Sequence, residues 1–472
     1  VGRRNINILM GPVLFLVSVL LFQGTFGMAG SQAIGTLVWM TVWWTTRPVA
    51  PAITSLLPII VNAIFMIVPM GQIIGKYSSE NIMLLFGASL LCLPWDETGL
   101  GKRIALKSLS IVGPSVKQQI AIWLFFSAIM SSILPNAVVC TMLTPIAAAM
   151  LHSAGEKDLS KSDLAVPILL AIAWGTGPGG AGSPLGGAMN LSAITYIEQY
   201  TGHEFMYIDW AVRMFPYMLI VTCALLIQLW MIPTKTKSFD GTKEFFANSY
   251  KELGPMNKGE KVCATLFILS VIASFTRSLY ASLLPGLTPA YAFLILGSFS
   301  FLYTYKDKKP LLTWPQVEKN MMWGMLCLFA GGLALGELVI KSGVSDKVGE
   351  MINGLEMTAG FGMLLLFVVI ARLISEFTNN VTSAAIVTPI VISTTTQLGL
   401  NPIPYCFIVA MAFNGSFILP LGVRGIPVGY GVDVNVMLKK GIPVSIVNAL
   451  VTAIVGYAIL LLVPSFGALP YM

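Results

Sequence analysis

The chain has 472 residues, of which 56% are hydrophobic and only 10% charged, and its mean hydropathy is +0.80. A soluble domain carries about 25% charged residues, so this composition excludes an ordinary soluble enzyme and describes an all-α polytopic membrane protein. The net charge of +7 would point to nucleic acid only if it clustered on a folded soluble surface. It sits in short loops, where the cytoplasmic bias of Lys and Arg accounts for it.

In chain order, apolar runs fall at about 8–24, 31–46, 51–74, 80–100, 118–152, 165–200, 208–233, 262–283, 288–305, 320–341, 357–400, 402–440 and 441–463. Many reach the roughly 20 residues that cross a bilayer. No cleavage site separates Val1-Gly2-Arg3-Arg4 from the first run, which reads as a retained helix and not a signal peptide. Cys92, Cys140, Cys223, Cys263, Cys327 and Cys406 are scattered without paired spacing and are expected to be buried thiols. Trp43-Trp44, Trp95, Trp174, Trp210 and Trp230 fall near the expected membrane faces and read as interfacial anchors. His152 and His203 have no ligand cluster beside them, and no phosphate loop or charged triad is present. No metal, cofactor or catalytic group is therefore called for.

Two runs, 118–152 and 357–400, are too long for one span and are interrupted alike, 244 residues apart. The first reads Ser131-Ser132-Ile133-Leu134-Pro135-Asn136-Ala137 and then Thr144-Pro145-Ile146. The second reads Ser375-Glu376-Phe377-Thr378-Asn379-Asn380-Val381 and then Thr388-Pro389-Ile390. Each is either one bent crossing or a re-entrant hairpin, and the loop charges decide. Loop 101–117 has Lys102, Arg103, Lys107 and Lys117 with no acid; 234–261 holds six lysines; 306–319 holds Lys306, Lys308, Lys309 and Lys319. All three belong on the cytoplasmic side. Loop 201–209 carries Glu204 and Asp209 with no Lys or Arg, and 345–361 carries Asp346, Glu350 and Glu356 against Lys347. Both suit the outside. The assignments agree only if both long runs are hairpins that enter from opposite faces. The expected topology is about eleven crossings plus two re-entrant hairpins, amino terminus cytoplasmic, in a bacterial-type plasma membrane. Residues 1–75 form three helices outside the repeat. Inverted repeats occupy 76–233 and 262–472, joined by a cytoplasmic linker at 234–261.

A second matched element follows each hairpin, at an offset of 243: Gly182-Ser183-Pro184-Leu185-Gly186 and Gly425-Ile426-Pro427-Val428-Gly429. Each suggests two half-helices around an unwound turn. Freed N–H groups at a half-helix N-terminus attract anions, and freed carbonyls can hold a cation. The alternative is a packing kink, but symmetric pairs of breaks favour a substrate site. Lipid cannot satisfy exposed backbone, so such breaks persist where protein or a polar cavity covers them. Candidate contacts are Pro135, Asn136, Ala137, Gly182, Ser183, Pro184, Asn379, Asn380, Val381, Gly422, Arg424, Gly425, Ile426 and Pro427. Asn136 and Asn380 can donate amide hydrogens to a carboxylate or cap their own half-helices. Arg424 has Ala181 as its repeat mate, so the fold does not demand a cation there. It either faces the cavity and compensates substrate charge or snorkels to the interface. Arg372 and Glu376, at i and i+4, are expected to pair with each other.

This order of hairpin and broken helix resembles the divalent anion:sodium symporter (DASS) family, the INDY-type dicarboxylate transporters, over nearly the whole chain. Ser375 to Ala384 with Pro389 looks like that family's Ser-Asn-Thr hairpin tip, and Pro135-Asn136-Ala137 is the weaker copy. Gly182 to Gly186 and Gly425 to Gly429 are similar to its Gly-Thr-Pro-Pro-Asn elements. The resemblance implies a homodimer, a scaffold and a moving transport domain, elevator-like motion, and di- or tricarboxylates such as succinate, malate or 2-oxoglutarate. The tips keep asparagine but lose the flanking hydroxyls to Pro135, Ala137, Asn379 and Val381, and Gly186 and Gly429 replace the terminal asparagines. These losses remove oxygen ligands from the sodium sites, while Arg424 supplies a fixed cation. The resulting expectation is a sodium-independent dicarboxylate exchanger, with sodium-coupled symport as the alternative and a channel or membrane enzyme as remoter ones.

Overall fold

A computed structural model describes all residues except 1, 110–112, 161, 239–241, 306–308, 355–359, 421 and 470–472. Lys306, Lys308 and Glu356, used in the charge argument, lie outside the described residues. The described chain is helical, with isolated β-bridges but no strand. That is what a chain in hydrocarbon requires, because helices satisfy their own backbone groups. Several helices are long and apolar enough to cross a bilayer, among them Tyr207–Trp230, Trp323–Lys341 and Val434–Leu462.

The first element, Gly2–Thr46, folds back on itself at Gly27, whose φ of 68° and ψ of 179° suit a residue without Cβ. Trp43 Nε1 donates to Ile8 O at 3.2 Å and Arg4 Nε to Pro48 O at 3.2 Å. The arms 2–26 and 28–46 are therefore antiparallel, matching the first two apolar runs. The third run, 51–74, is not one helix. Pro51–Thr54 and Leu57–Phe65 stop at Met66, which is left-handed at φ 49°. The Asn62 amide bonds both the N–H and the carbonyl of Val68 at 2.9 Å, closing a turn before Met70–Tyr77. A side chain that mimics backbone competes with helix continuation here, which an apolar count cannot see.

Both over-long runs form helix–turn–helix pairs: Val116–Ser131 with Asn136–Ser153, and Phe361–Phe377 with Asn380–Gln397. The second helix of each pair begins at the matched asparagine. Both broken helices are present as well. Ala165–Gly180 unwinds, makes a 3₁₀ turn at Pro184–Gly186 and resumes as Ala188–Thr201. Ile403–Asn414 unwinds through Gly415, makes a 3₁₀ turn at Gly422–Arg424 and resumes for only five residues, Gly425–Gly429. The next helix, Val434–Leu462, runs straight through Lys439 and Lys440, so the expected boundary at 440/441 moves to 430–433. Asp433 sets it, accepting from the Asn435 and Val436 N–H groups as the N-cap.

Bonds between loops sort into two groups. In one, Val116 N donates to Lys237 O at 3.0 Å, Trp230 Nε1 to Lys117 O at 3.0 Å, and Lys235 N to Asp163. Arg103 belongs to the same group and grips Glu260 at 2.7 Å and Gly254 O at 2.8 Å. In the other, Arg277 pairs with Glu204 at 2.7 Å, Asn353 with Gln397 at 2.7 Å, and Asn401 with Gly467 O at 2.9 Å.

Tryptophan is where the sequence reading fails most plainly. Trp174 and Trp210 are 0% exposed and pack edge-on against Phe417 at 5.8 Å and Phe407 at 5.5 Å. Trp44 and Trp95 are buried too, and of the six expected anchors only Trp230, at 40%, counts as exposed. Most of the expected interface anchors are core. Cys92, Cys140, Cys263 and Cys406 are buried as expected, but Cys223 is exposed and Cys327 half-buried.

Candidate functional site

The two asparagine tips meet at one cavity of about 140 Å³. Pro135, Asn136 and Ala137 line it from the first tip; Asn379, Asn380 and Val381 line it from the second. Gly422 and Arg424 come from the second break. Two helix N-termini, at Asn136 and Asn380, thus open onto the same space, and their dipoles make it attractive to anions. The remaining predicted contacts, Gly182, Ser183, Pro184, Gly425, Ile426 and Pro427, are not on the cavity wall. Ser183 is committed to backbone instead: its hydroxyl donates to Ser132 O and accepts from Leu185 N at 3.2 Å.

The second tip is built around a carboxylate. Glu376 accepts from the N–H of Phe417 at 2.7 Å and of Ile418 at 3.0 Å, from Ser445 Oγ at 2.9 Å and from Arg424 Nη1 at 2.8 Å. It therefore fastens the unwound stretch 415–418 to the hairpin arm. The expected Arg372–Glu376 pair is not made, because the chain at 417–424 supplies nearer donors. Arg424 lines the cavity and is only 6% exposed, so it does not snorkel; nor is it a free cation, since Glu376 matches its charge. Arg372 is buried beside it. Its Nη2 donates to Asn448 Oδ1 at 3.0 Å, its Cζ lies 5.2 Å from the centre of the Phe417 ring, and Nε and Nη1 have no partner among the described residues. A Cβ at residue 415 would collide with this guanidinium, so Gly415 makes room for it.

At the second tip, Ser375 Oγ and Ser416 Oγ lie 2.7 and 2.8 Å from Asn380 Oδ1. Ser375 Oγ also lies 2.7 Å from Phe413 O, so the two hydroxyls anchor one end of the Asn380 amide to the protein and leave its other end without a protein partner among the described residues. Asn379 Oδ1 caps Thr382 N at 2.9 Å, and its buried Nδ2 is unpartnered among the described residues. Capping therefore falls to Asn379 and not to Asn380, and Asn136 makes no cap either, since Pro135 holds the N-cap position there. The first tip has no ionised group: Ser131 Oγ donates to Thr176 O at 3.0 Å and Ser132 Oγ to Gly179 O at 2.9 Å.

Sequence reasoning missed three groups. Arg47, from the first element, lines the cavity; nothing in its local sequence marked it. Asn190 and Asn414 bond each other at 2.9 Å across the two breaks, and Asn190 also ties Gly180 O at 2.6 Å. Two asparagines in apolar runs were the available signal. His152 meets only Glu156 O, at 2.8 Å, among the bonds described for it.

Paired tips and paired helix breaks around one cavity, inside an all-helical apolar chain, define a secondary transporter. Residues 4–463 match the family described as the sodium:sulfate symporter transmembrane region, and the chain belongs to it, within the divalent anion:sodium symporters. It is a multi-pass membrane transporter and not an enzyme. It is similar to the sodium-dependent dicarboxylate transporter SdcS of Staphylococcus saprophyticus, at 24% identity over 470 residues, covering 96% of this chain and 90% of that protein. SdcS of Staphylococcus aureus strain MRSA252 is also 24% identical, covering 96% and 91%. Among solved structures, Neisseria gonorrhoeae MtrF superposes with a TM-score of 0.52 at 14% identity, over 85% of this chain and 84% of that one; the likeness is one of fold.

Proposed function

We propose that the protein carries dicarboxylates of the succinate, malate or 2-oxoglutarate type, coupled to sodium. The observation that carries this reading is the facing pair of asparagine-led helix N-termini on one cavity, one for each carboxylate. The full-length similarity to proteins named sodium-dependent dicarboxylate transporters supports the substrate class and the ion. Sodium needs oxygens, and the lost hydroxyls left their source open. Near the first break, the Ser131 carbonyl crowds the bare face of Gly186, while Gly180 O beside it is taken by Asn190 Nδ2 at 2.6 Å. Gly186 O and the unpartnered Asn414 Oδ1 approach Gly180. Freed carbonyls of this kind hold coupling ions in broken-helix transporters.

The sodium-independent exchanger is the second reading. Its original basis, a free Arg424, is gone. What still favours it is Arg372: with Arg424 and Glu376 it leaves one uncompensated buried positive charge, which a bound anion would neutralise.

The accompanying topology has two re-entrant pairs entering from opposite faces. Support comes from the loop bonds. The start of the first pair bonds the lysine-rich 234–261 segment through Val116–Lys237, and the loop that follows the pair bonds it through Asp163–Lys235. The second pair's ends lie with Asn353 and Tyr457 instead. Repeats 76–233 and 262–472, a cytoplasmic amino terminus, a bacterial-type inner membrane, an elevator-like motion and a homodimer complete the proposal.

The test is uptake of labelled succinate and 2-oxoglutarate into proteoliposomes, empty or dicarboxylate-loaded, with and without an inward sodium gradient. Sodium-driven uptake into empty vesicles is expected. Uptake that requires internal dicarboxylate and ignores sodium would replace symport with exchange.

A further inference from the structure

We propose that Arg47 is a specificity-determining residue that reads the second negative charge of the substrate, selecting dianions over monoanions. This rests on the dicarboxylate reading above.

Two arginines line the cavity, Arg47 and Arg424. Arg424 is charge-matched by Glu376 at 2.8 Å. Arg47 has no carboxylate within ion-pair distance among the described residues. It is exposed, and its one described side-chain bond is from Nη2 to Pro420 O at 3.0 Å. That bond aims the guanidinium at the second break and leaves other N–H groups of its fork for a carboxylate.

The backbone holds Arg47 in a conformation a side chain rarely adopts. Its φ is +47°, immediately before Pro48, where a left-handed residue is disfavoured. Arg47 N→Trp43 O at 2.9 Å and Arg4 Nε→Pro48 O at 3.2 Å hold it there. Two residues earlier, Thr45 Oγ1, which donates to Thr41 O at 2.8 Å, also lies 3.3 Å from Phe377 O, so this helix end sits against the second tip. Strain of this kind persists where surrounding structure over-determines it, and it concentrates at ligand clamps. The cation reaches the cavity from outside the two repeats. A dianion thus meets neutral donors at the first tip and a free positive charge beside the second.

A structural alternative is that Arg47 only latches Pro420. Arg47→Gln keeps a donor for Pro420 O and removes the charge; Arg47→Lys keeps the charge and removes the fork. KM and Vmax for succinate, and inhibition by its singly charged monomethyl ester, are measured in proteoliposomes for wild type and both variants, with thermal stability in detergent. For Arg47→Gln the succinate KM rises about 10- to 100-fold, the range of one hydrogen bond to a charged group. Its Vmax changes little and monoester inhibition is unaltered, so the dianion preference collapses. Arg47→Lys recovers part of that preference. An unchanged KM, equal losses for dianion and monoester, or a fall in Vmax alone would overturn the proposal. If Arg47→Gln is unstable, the dianion-to-monoester ratio of Arg47→Lys decides: an unaltered ratio with Vmax lost means a latch. Wild type that takes up no dianion removes the dicarboxylate reading and this proposal together; wild-type uptake matched by Arg47→Gln removes only the proposal.

Discussion

The two halves share a backbone plan and differ in charge at three matched positions. In the second half Arg372, Glu376 and Arg424 form a buried cluster; their repeat mates are Ala128, Ser132 and Ala181. The same job, fastening an unwound stretch to a hairpin arm, is done in two ways. The first half uses small residues: the backbones approach so closely that a Cβ on Gly179 would strike Ala128, and Ser132 Oγ bonds Gly179 O at 2.9 Å. The second half lacks that close approach and spans the gap with a carboxylate that collects four donors. The order of tip and break is duplicated, while the electrostatics is not. An anion in the cavity therefore meets a polarised site, neutral at one tip and cationic near the other.

The largest effect should come from the centre of that cluster. Glu376→Gln cannot accept from all four donors and leaves Arg424 and Arg372 both uncompensated. Breaking a buried pair from one side costs about 3–5 kcal/mol, so dicarboxylate uptake should fall below detection and the unfolding temperature should drop. Arg424→Ala strands Glu376 in the same way. Retention of full transport by either variant would separate the cluster from function.

A moderate and unequal effect is expected at the asparagines. Asn380→Ala removes an amide that Ser375 and Ser416 anchor, whereas Asn136→Ala removes only an amide with no protein partner among the described residues. Both should raise KM, Asn380→Ala by the larger factor and with an added loss of stability of about 1 kcal/mol. Equal KM effects without a stability difference would mean that the tips are chemically equivalent. The smallest effect belongs to Ser132→Ala, the mate of Glu376. Losing one neutral hydrogen bond should lower stability by about 1 kcal/mol and leave the KM for succinate within a factor of two. A collapse of transport there would reverse the asymmetry.

Much of this was legible in the sequence. The 244-residue offset located both helix–turn–helix pairs, the 243-residue offset located both breaks, and Asn136 and Asn380 do open onto one cavity. Local chemistry governs these features: proline, glycine and asparagine end helices wherever they stand. The reading failed where a residue had several possible partners. Arg372 at i, i+4 from Glu376 was an obvious pair, yet Glu376 belongs to Arg424, 48 positions on. Asn62 ended a helix that hydropathy ran through. Trp174 and Trp210 looked like interface anchors because their height in the membrane could be guessed, but their facing could not.

Sequence alone determined the class and the places where the helices break, because composition and helix-breaking residues act over a few neighbours. Only the tertiary structure decided which cations are neutralised and which remain available. Burial and the distance to a counter-charge depend on segments hundreds of residues apart, as Arg47 at Pro420 and Arg424 at Glu376 illustrate.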